Sequence, residues 1–149
     1  MAGPNPLPQL GPLNRIRATV LFPLFPQLNI SAAFLTPEGI RMSINGQTTQ
    51  MIPAMVSQVQ SQNVYLPAQV QFSVVKTTAL ATLWKQKIES DSNLGPCTVR
   101  VDAAALDVFD LVNCAVEQFD GIDASGTNAG FPLMVAGTYY CNSSLWNLS

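Results

Sequence analysis

The sequence predicts a mainly β domain: an antiparallel sheet in a β-barrel-like sandwich, with one α-helix packed on its outer face. Three observations predict it. Apolar–polar alternations recur along the chain, the clearest being AQVQFSVV at 68–75. Proline, glycine and asparagine separate them in turn-forming combinations. Only KTTALATLWKQKIESDSNLG, at 76–95, carries the apolar spacing of a helix. A lone helix is too few for a parallel α/β fold, in which helices alternate with strands.

A chain of 149 residues suffices for one domain and is short for two. Residues 1–14 read as an extended proline-rich arm, because MAGPNPLPQLGPLNRIR breaks any helix repeatedly. The arm is either a free tail or a strap that orders against a neighbouring subunit. Residues 15–149 read as a single β domain. The N-terminus lacks the basic start and unbroken apolar core of a signal peptide. No apolar run approaches the roughly 18 residues that span a bilayer, so no membrane insertion is expected.

The elements follow in order. IRATVLF (16–22) alternates weakly and stops at Pro23, after which FPLFPQ forces irregular backbone. NISAAFL (29–35) reads as a strand, TPEG (36–39) as a turn and IRMSI (40–44) as the return strand. Asn45-Gly46 is a hairpin signal, since both residues tolerate positive φ. QTTQMIPAMVSQVQSQ (47–62) has a weaker strand pattern interrupted by Pro53. In 68–75, Val70, Phe72 and Val74 point toward the helix, and Gln69, Gln71 and Ser73 point away from it. With Gln58, Gln60 and Gln62 they suggest one broad, uncharged polar sheet face.

Thr77 or Thr78 is the expected cap of the helix, and Leu80, Leu83, Trp84 and Ile88 form its apolar stripe, the helix–sheet core. NLGP (93–96) supplies the stop. Beyond it CTVRV (97–101), LVNCAVEQF (111–119) and FPLMVAGTYYC (131–141) read as strands, the last two joined by the loop DGIDASGTNAG (120–130).

Charged residues make up 11% of the chain and its net charge is −2, so little holds identical copies apart. Such a surface suits burial against partners. Every base lies at or before Arg100, and Asp102, Asp107, Asp110, Glu117, Asp120 and Asp123 follow it. Two oppositely charged ends would favour head-to-tail stacking, whereas interleaved charges would not.

Catalysis has little to work with. There is no histidine, which excludes Ser-His and Cys-His nucleophile pairs. Asp107 and Asp110 read as solvated acids, and DGIDASGTNAG does not fit the calcium-loop spacing. No phosphate-binding glycine motif and no basic groove with interleaved aromatics occur. Cys97, Cys114 and Cys141 have unrelated spacings and read as buried free thiols of a reducing compartment. The sequons at Asn29, Asn142 and Asn147 carry no meaning without a secretion signal. The residues point to no enzyme, no cofactor and no metal.

The order MVSQVQSQNVYLPAQVQFSVVKTTALATLWKQKIESDSNLGPCTVRVD then FDLVNCAVEQFDGIDASGTNAGFPLMVAGTYYCNSSLW resembles the tail tube proteins of contractile-tailed bacteriophages, over roughly residues 29–146. Its sharpest parts are 64–91, 111–118 and 136–146, none of them a catalytic motif. Cys141 and the proline-rich arm have no match in the family pattern. The resemblance implies hexameric rings stacked into a hollow inner tube, each subunit contributing strands to an intersubunit barrel. It further implies a surrounding tail sheath protein, baseplate and tail terminator partners, and DNA passing through the lumen. The location implied is the virion tail, assembled in the bacterial host cytoplasm. On this reading Gln58, Gln60, Gln69, Gln71 and Ser73 face the lumen. The alternatives are a single-ring tail adaptor or terminator, and a tube subunit of a related contractile injection system. A sugar- or lipid-binding β-sandwich would need a site built from Trp84, Trp146, Tyr139 and Tyr140.

Overall fold

The computed structural model describes residues 10–118 and 124–147. Residues 1–9 of the arm, and Asp120 and Asp123 of the acidic stretch, lie outside them. Among the described residues the chain forms eight strands and one α-helix. The strands are β1 (Thr19–Leu21), β2 (Leu35–Ile44), β3 (Thr49–Pro53), β4 (Gln58–Gln62) and β5 (Tyr65–Val75), followed after the helix by β6 (Asn93–Arg100), β7 (Val108–Gln118) and β8 (Gly130–Tyr140). The helix, α1, is Ala79–Ser90. One curled antiparallel sheet, ordered β1-β6-β7-β8-β5-β2, forms a half-barrel, and β3 pairs with β4 in a separate ribbon.

β5 organises the sheet because its alternation is unbroken. Leu66, Ala68, Val70, Phe72 and Val74 are all buried, while the residues between them are not. It pairs along its full length with β8, from Tyr65↔Tyr140 to Val75↔Gly130. A strand with one apolar face can hold only one register, since a slip of one residue would turn that face to water.

Trp84 anchors the helix. It is fully buried, with its ring edge-on to Phe22 at 5.3 Å and to Phe72 at 5.6 Å between centroids. The helix therefore bridges β5 and the irregular 22–30 segment, where Lys87 also places its ammonium 3.9 Å above the Phe25 ring. Leu80 and Ala81 are buried and Ile88 packs against the core, but Leu83 is 37% exposed. The reason is angular. At about 3.6 residues per turn, positions 80, 84, 88 and 81 share an arc of about 100°, and position 83 falls outside it.

Several local expectations are corrected. Thr78 occupies the N-cap position, but its hydroxyl donates to the Val75 carbonyl at 2.7 Å and caps nothing. NLGP is not the helix stop: α1 ends at Ser90, and 93–96 already belong to β6. Gly95, with φ of 72°, serves a β-bulge there. The 29–35 stretch is not a strand. Only Ile30 bridges Val20, and Ala32–Phe34 is a 3-10 turn held by the Phe34 N–H on the Ser31 carbonyl at 3.1 Å; the Asn29 side chain accepts the Phe22 N–H at 2.7 Å and closes the preceding loop.

TPEG is an excursion within β2 rather than a turn between strands. The register on β5 moves from Leu35↔Val74 to Ile40↔Phe72, with Gly39 at φ of 74°. Pro37 is tolerated there because β2 is an edge strand with no further ladder to feed. Asn45-Gly46 does turn the chain, with Gly46 at φ of 98°, but β2 and β3 do not pair. The Asn45 N–H donates to the Pro67 carbonyl at 2.9 Å, extending the pairing with β5 before the chain leaves the sheet.

Candidate interaction surfaces

The polar face of β5 is built by alternation. With Val70, Phe72 and Val74 committed to the core, Gln69, Gln71 and Ser73 must project from the opposite side. They are half-buried among their neighbours. Across the ladder Gln71 faces Arg41 of β2 and Met134 of β8, and Gln69 faces Ser43 and Ala136. The Gln69 amide donates to the Glu117 carboxylate at 3.2 Å, tying β5 to β7 over the intervening strand. A shallow cleft of about 410 Å³ lies on this face, among Glu38, Arg41, Gln71, Ser73, Gln118 and Met134. Charges of both signs are present, so the face is polar but not uncharged.

Gln58 and Gln60 do not share that face. They lie on β4, exposed, opposite Pro53 and Met51 of β3. The five glutamine and serine positions therefore divide between two sheets. Period-2 spacing shows which side of its own strand a residue takes, but not which sheet that strand joins.

The ribbon that carries them is the more unusual feature. Its base is fastened to the end of β8: the Asn142 side-chain amide donates to the carbonyls of Thr48 at 3.0 Å and Asn63 at 2.6 Å. The Cys141 N–H adds a bond to the Val64 carbonyl at 3.1 Å. Its tip has no such support among the described residues. Met55 is 100% and Val56 94% exposed, and Met51, Ile52 and Val59 are also exposed. Ile52 and Val59 pair directly across the ribbon, making a small apolar patch on one face. Its signal was the run MIPAMV at 51–56, whose apolar residues match no core alternation.

β1 and β2 end the half-barrel, but Val20 and Phe22 on the β1 side are already bonded to Ile30 and to the Asn29 side chain, so β2 is the open edge. Ile40 and Met42 of β2 and Ala18 and Val99 near the other edge line a second cleft, of about 480 Å³, with Arg15 and Asp102 at its margin.

Other candidate groups disperse. Asp110 accepts the Thr98 hydroxyl at 2.9 Å across β6 and β7, which is strand pairing chemistry. Trp84 is fully buried while Tyr140 and Trp146 are exposed, and Tyr139 tilts against Phe109 at 5.8 Å, so these aromatics do not line one sugar or lipid site. Among the described residues no group of three histidine, cysteine or acidic side chains is placed to hold a metal ion. No helix among them is long and apolar enough to cross a membrane. Comparison of the chain with protein-family models and with curated proteins gave no match.

Proposed function

We propose that the chain is a structural virion protein that assembles into stacked hexameric rings, the inner tail tube through which DNA passes from capsid to host cell. The observation that carries this reading is the β3–β4 ribbon, a fastened projection whose apolar tip a lone chain leaves in water. Contiguous exposed apolar residues on a soluble surface mark interaction sites. Ring-to-ring contact would cover this tip. The open edge of the half-barrel at β2 supports the same reading, because a strand from a neighbouring subunit would pair with it and continue the sheet between subunits. The polar side of β5, opposite the helix, suits a wet lumen. The resemblance to contractile-phage tube proteins supplies the remaining partners, namely sheath, baseplate and terminator, with DNA only in transit and no catalysis.

A single-ring tail adaptor has the same open edge but would not polymerise. Sedimentation velocity of the purified chain over a concentration series separates the two. Species growing far beyond a hexamer support a tube, a limit at one ring supports an adaptor, and a monomer throughout contradicts both.

A further inference from the structure

Cys97 of β6 and Cys114 of β7 are free thiols, 1% and 0% exposed, with their sulfur atoms 3.2 Å apart. Regular pairing would not create this contact. In an unbroken strand Leu111 and Cys114, three positions apart, would face opposite sides. β7 instead carries one extra residue. From Cys97↔Leu111 to Gly95↔Cys114, β6 moves two positions while β7 moves three, and β8 meets the same excess between Val112 and Ala115.

Asn113, inside the bulge, takes φ of 55°, the left-handed region that asparagine tolerates better than most residues. The bulge turns Cys114 inward, on the same side as Leu111 and against Cys97. The next strand makes the room: a Cβ at Gly137 of β8 would lie 2.6 Å from the Cys114 sulfur. A bulge, a positive φ and a glycine together hold the two sulfurs in contact. Cys141 is apart from them, its thiol donating to the Asn63 carbonyl at 3.2 Å.

We infer that Cys97 and Cys114 form a cross-strand thiol pair that a two-electron oxidant closes to a disulfide, tying β6 to β7. Closure brings the sulfurs about 1 Å nearer than their present contact. The hydrogen bond between the thiols raises Cys97 above the ordinary thiol range and lowers Cys114, against the opposing effect of burial on Cys114. With an azodicarboxamide oxidant, which reaches the pair as the strands open locally, one thiolate of the pair adds across the N=N bond. The partner sulfur then attacks that sulfur and displaces the resulting hydrazine. One S–S bond forms, two S–H bonds are lost, and their two protons and two electrons end on the hydrazine. The inference stands on β6, β7 and β8 and does not depend on the tube reading.

The test treats the folded chain with an azodicarboxamide, quenches in acid, unfolds it and alkylates the remaining thiols with N-ethylmaleimide. Cleavage after Arg100 and Glu117 puts the three cysteines on separate peptides. The expected product carries one maleimide, on Cys141, and weighs two hydrogens less than the reduced chain with one maleimide. It joins the Cys97 peptide to the Cys114 peptide, and dithiothreitol reverses it. Its urea midpoint should rise, and the rise should be absent in Cys114→Ala. The Cys141→Ser variant should give the same link, which excludes exchange through the third thiol. Three maleimides after treatment, or links that all involve Cys141, would overturn the inference. Should Cys114→Ala fail to fold, the peptide map of the unsubstituted chain decides alone.

Discussion

The indole of Trp84 stands edge-on to Phe22 at 74°, and through that contact the helix holds the irregular 22–30 segment onto the sheet. Phe72 of β5 approaches the same ring from the sheet side. Trp84→Ala removes both contacts from a fully buried site, so a loss of about 3–5 kcal/mol is expected, the range for large core side chains. Leu83→Ala, one position away but 37% exposed, should cost less than about 1 kcal/mol. Urea unfolding of both variants checks the pair. Equal losses would mean that the helix face is assigned wrongly.

Gly137 and Cys114 should be energetically coupled. Gly137→Ala places a Cβ 2.6 Å from the Cys114 sulfur and should cost about 1–3 kcal/mol by overpacking. Adding Cys114→Ala removes the obstructing atom, and part of the loss should return. A double-mutant cycle with no coupling would contradict the described packing.

The thiols are expected to be dispensable for assembly. A chain with Cys97, Cys114 and Cys141 replaced by alanine or serine should still form the same assemblies without added metal. Elemental analysis finding bound zinc, or loss of assembly restored by a disulfide, would oppose this.

The polar face of β5 yields a prediction about DNA passage. Arg41 already lies across from Gln71, and Gln71→Lys would put a second cation beside it on every subunit. Phosphate contacts add along a strand, so assembly should survive while genome ejection slows, most at low salt. Normal ejection by virions carrying Gln71→Lys would remove this face from the lumen.

What the sequence made legible was local. The alternation of 68–75 and the 80, 84, 88 spacing report which side of an element is apolar, and both are present. The partners of those elements were not legible. β2 pairs with β5 across the whole excursion of the β3–β4 ribbon, and no short-range signal at Asn45-Gly46 distinguishes leaving a sheet from folding back in it. Gly39, Gly95 and Asn113 take positive φ in or beside strands, where glycine reads equally as a turn. Leu83 looked apolar in spacing, yet the neighbouring Ala81 was nearer the centre of the buried arc. The glutamines of 58–62 and 69–71 repeated alike in sequence and separated only when the strands chose different sheets.

Negative-stain electron microscopy of the purified chain, concentrated and seeded with tail fragments, shows whether it builds a tube. Hollow tubes with sixfold end views are predicted for the unsubstituted chain. A variant carrying Met55→Asp and Val56→Asp, in which the exposed ribbon tip is charged, should stay folded and give no tubes. Fields containing only monomers of the unsubstituted chain would rule out a tube, and tubes that form equally well from the charged-tip variant would rule out the ribbon tip as the contact between rings.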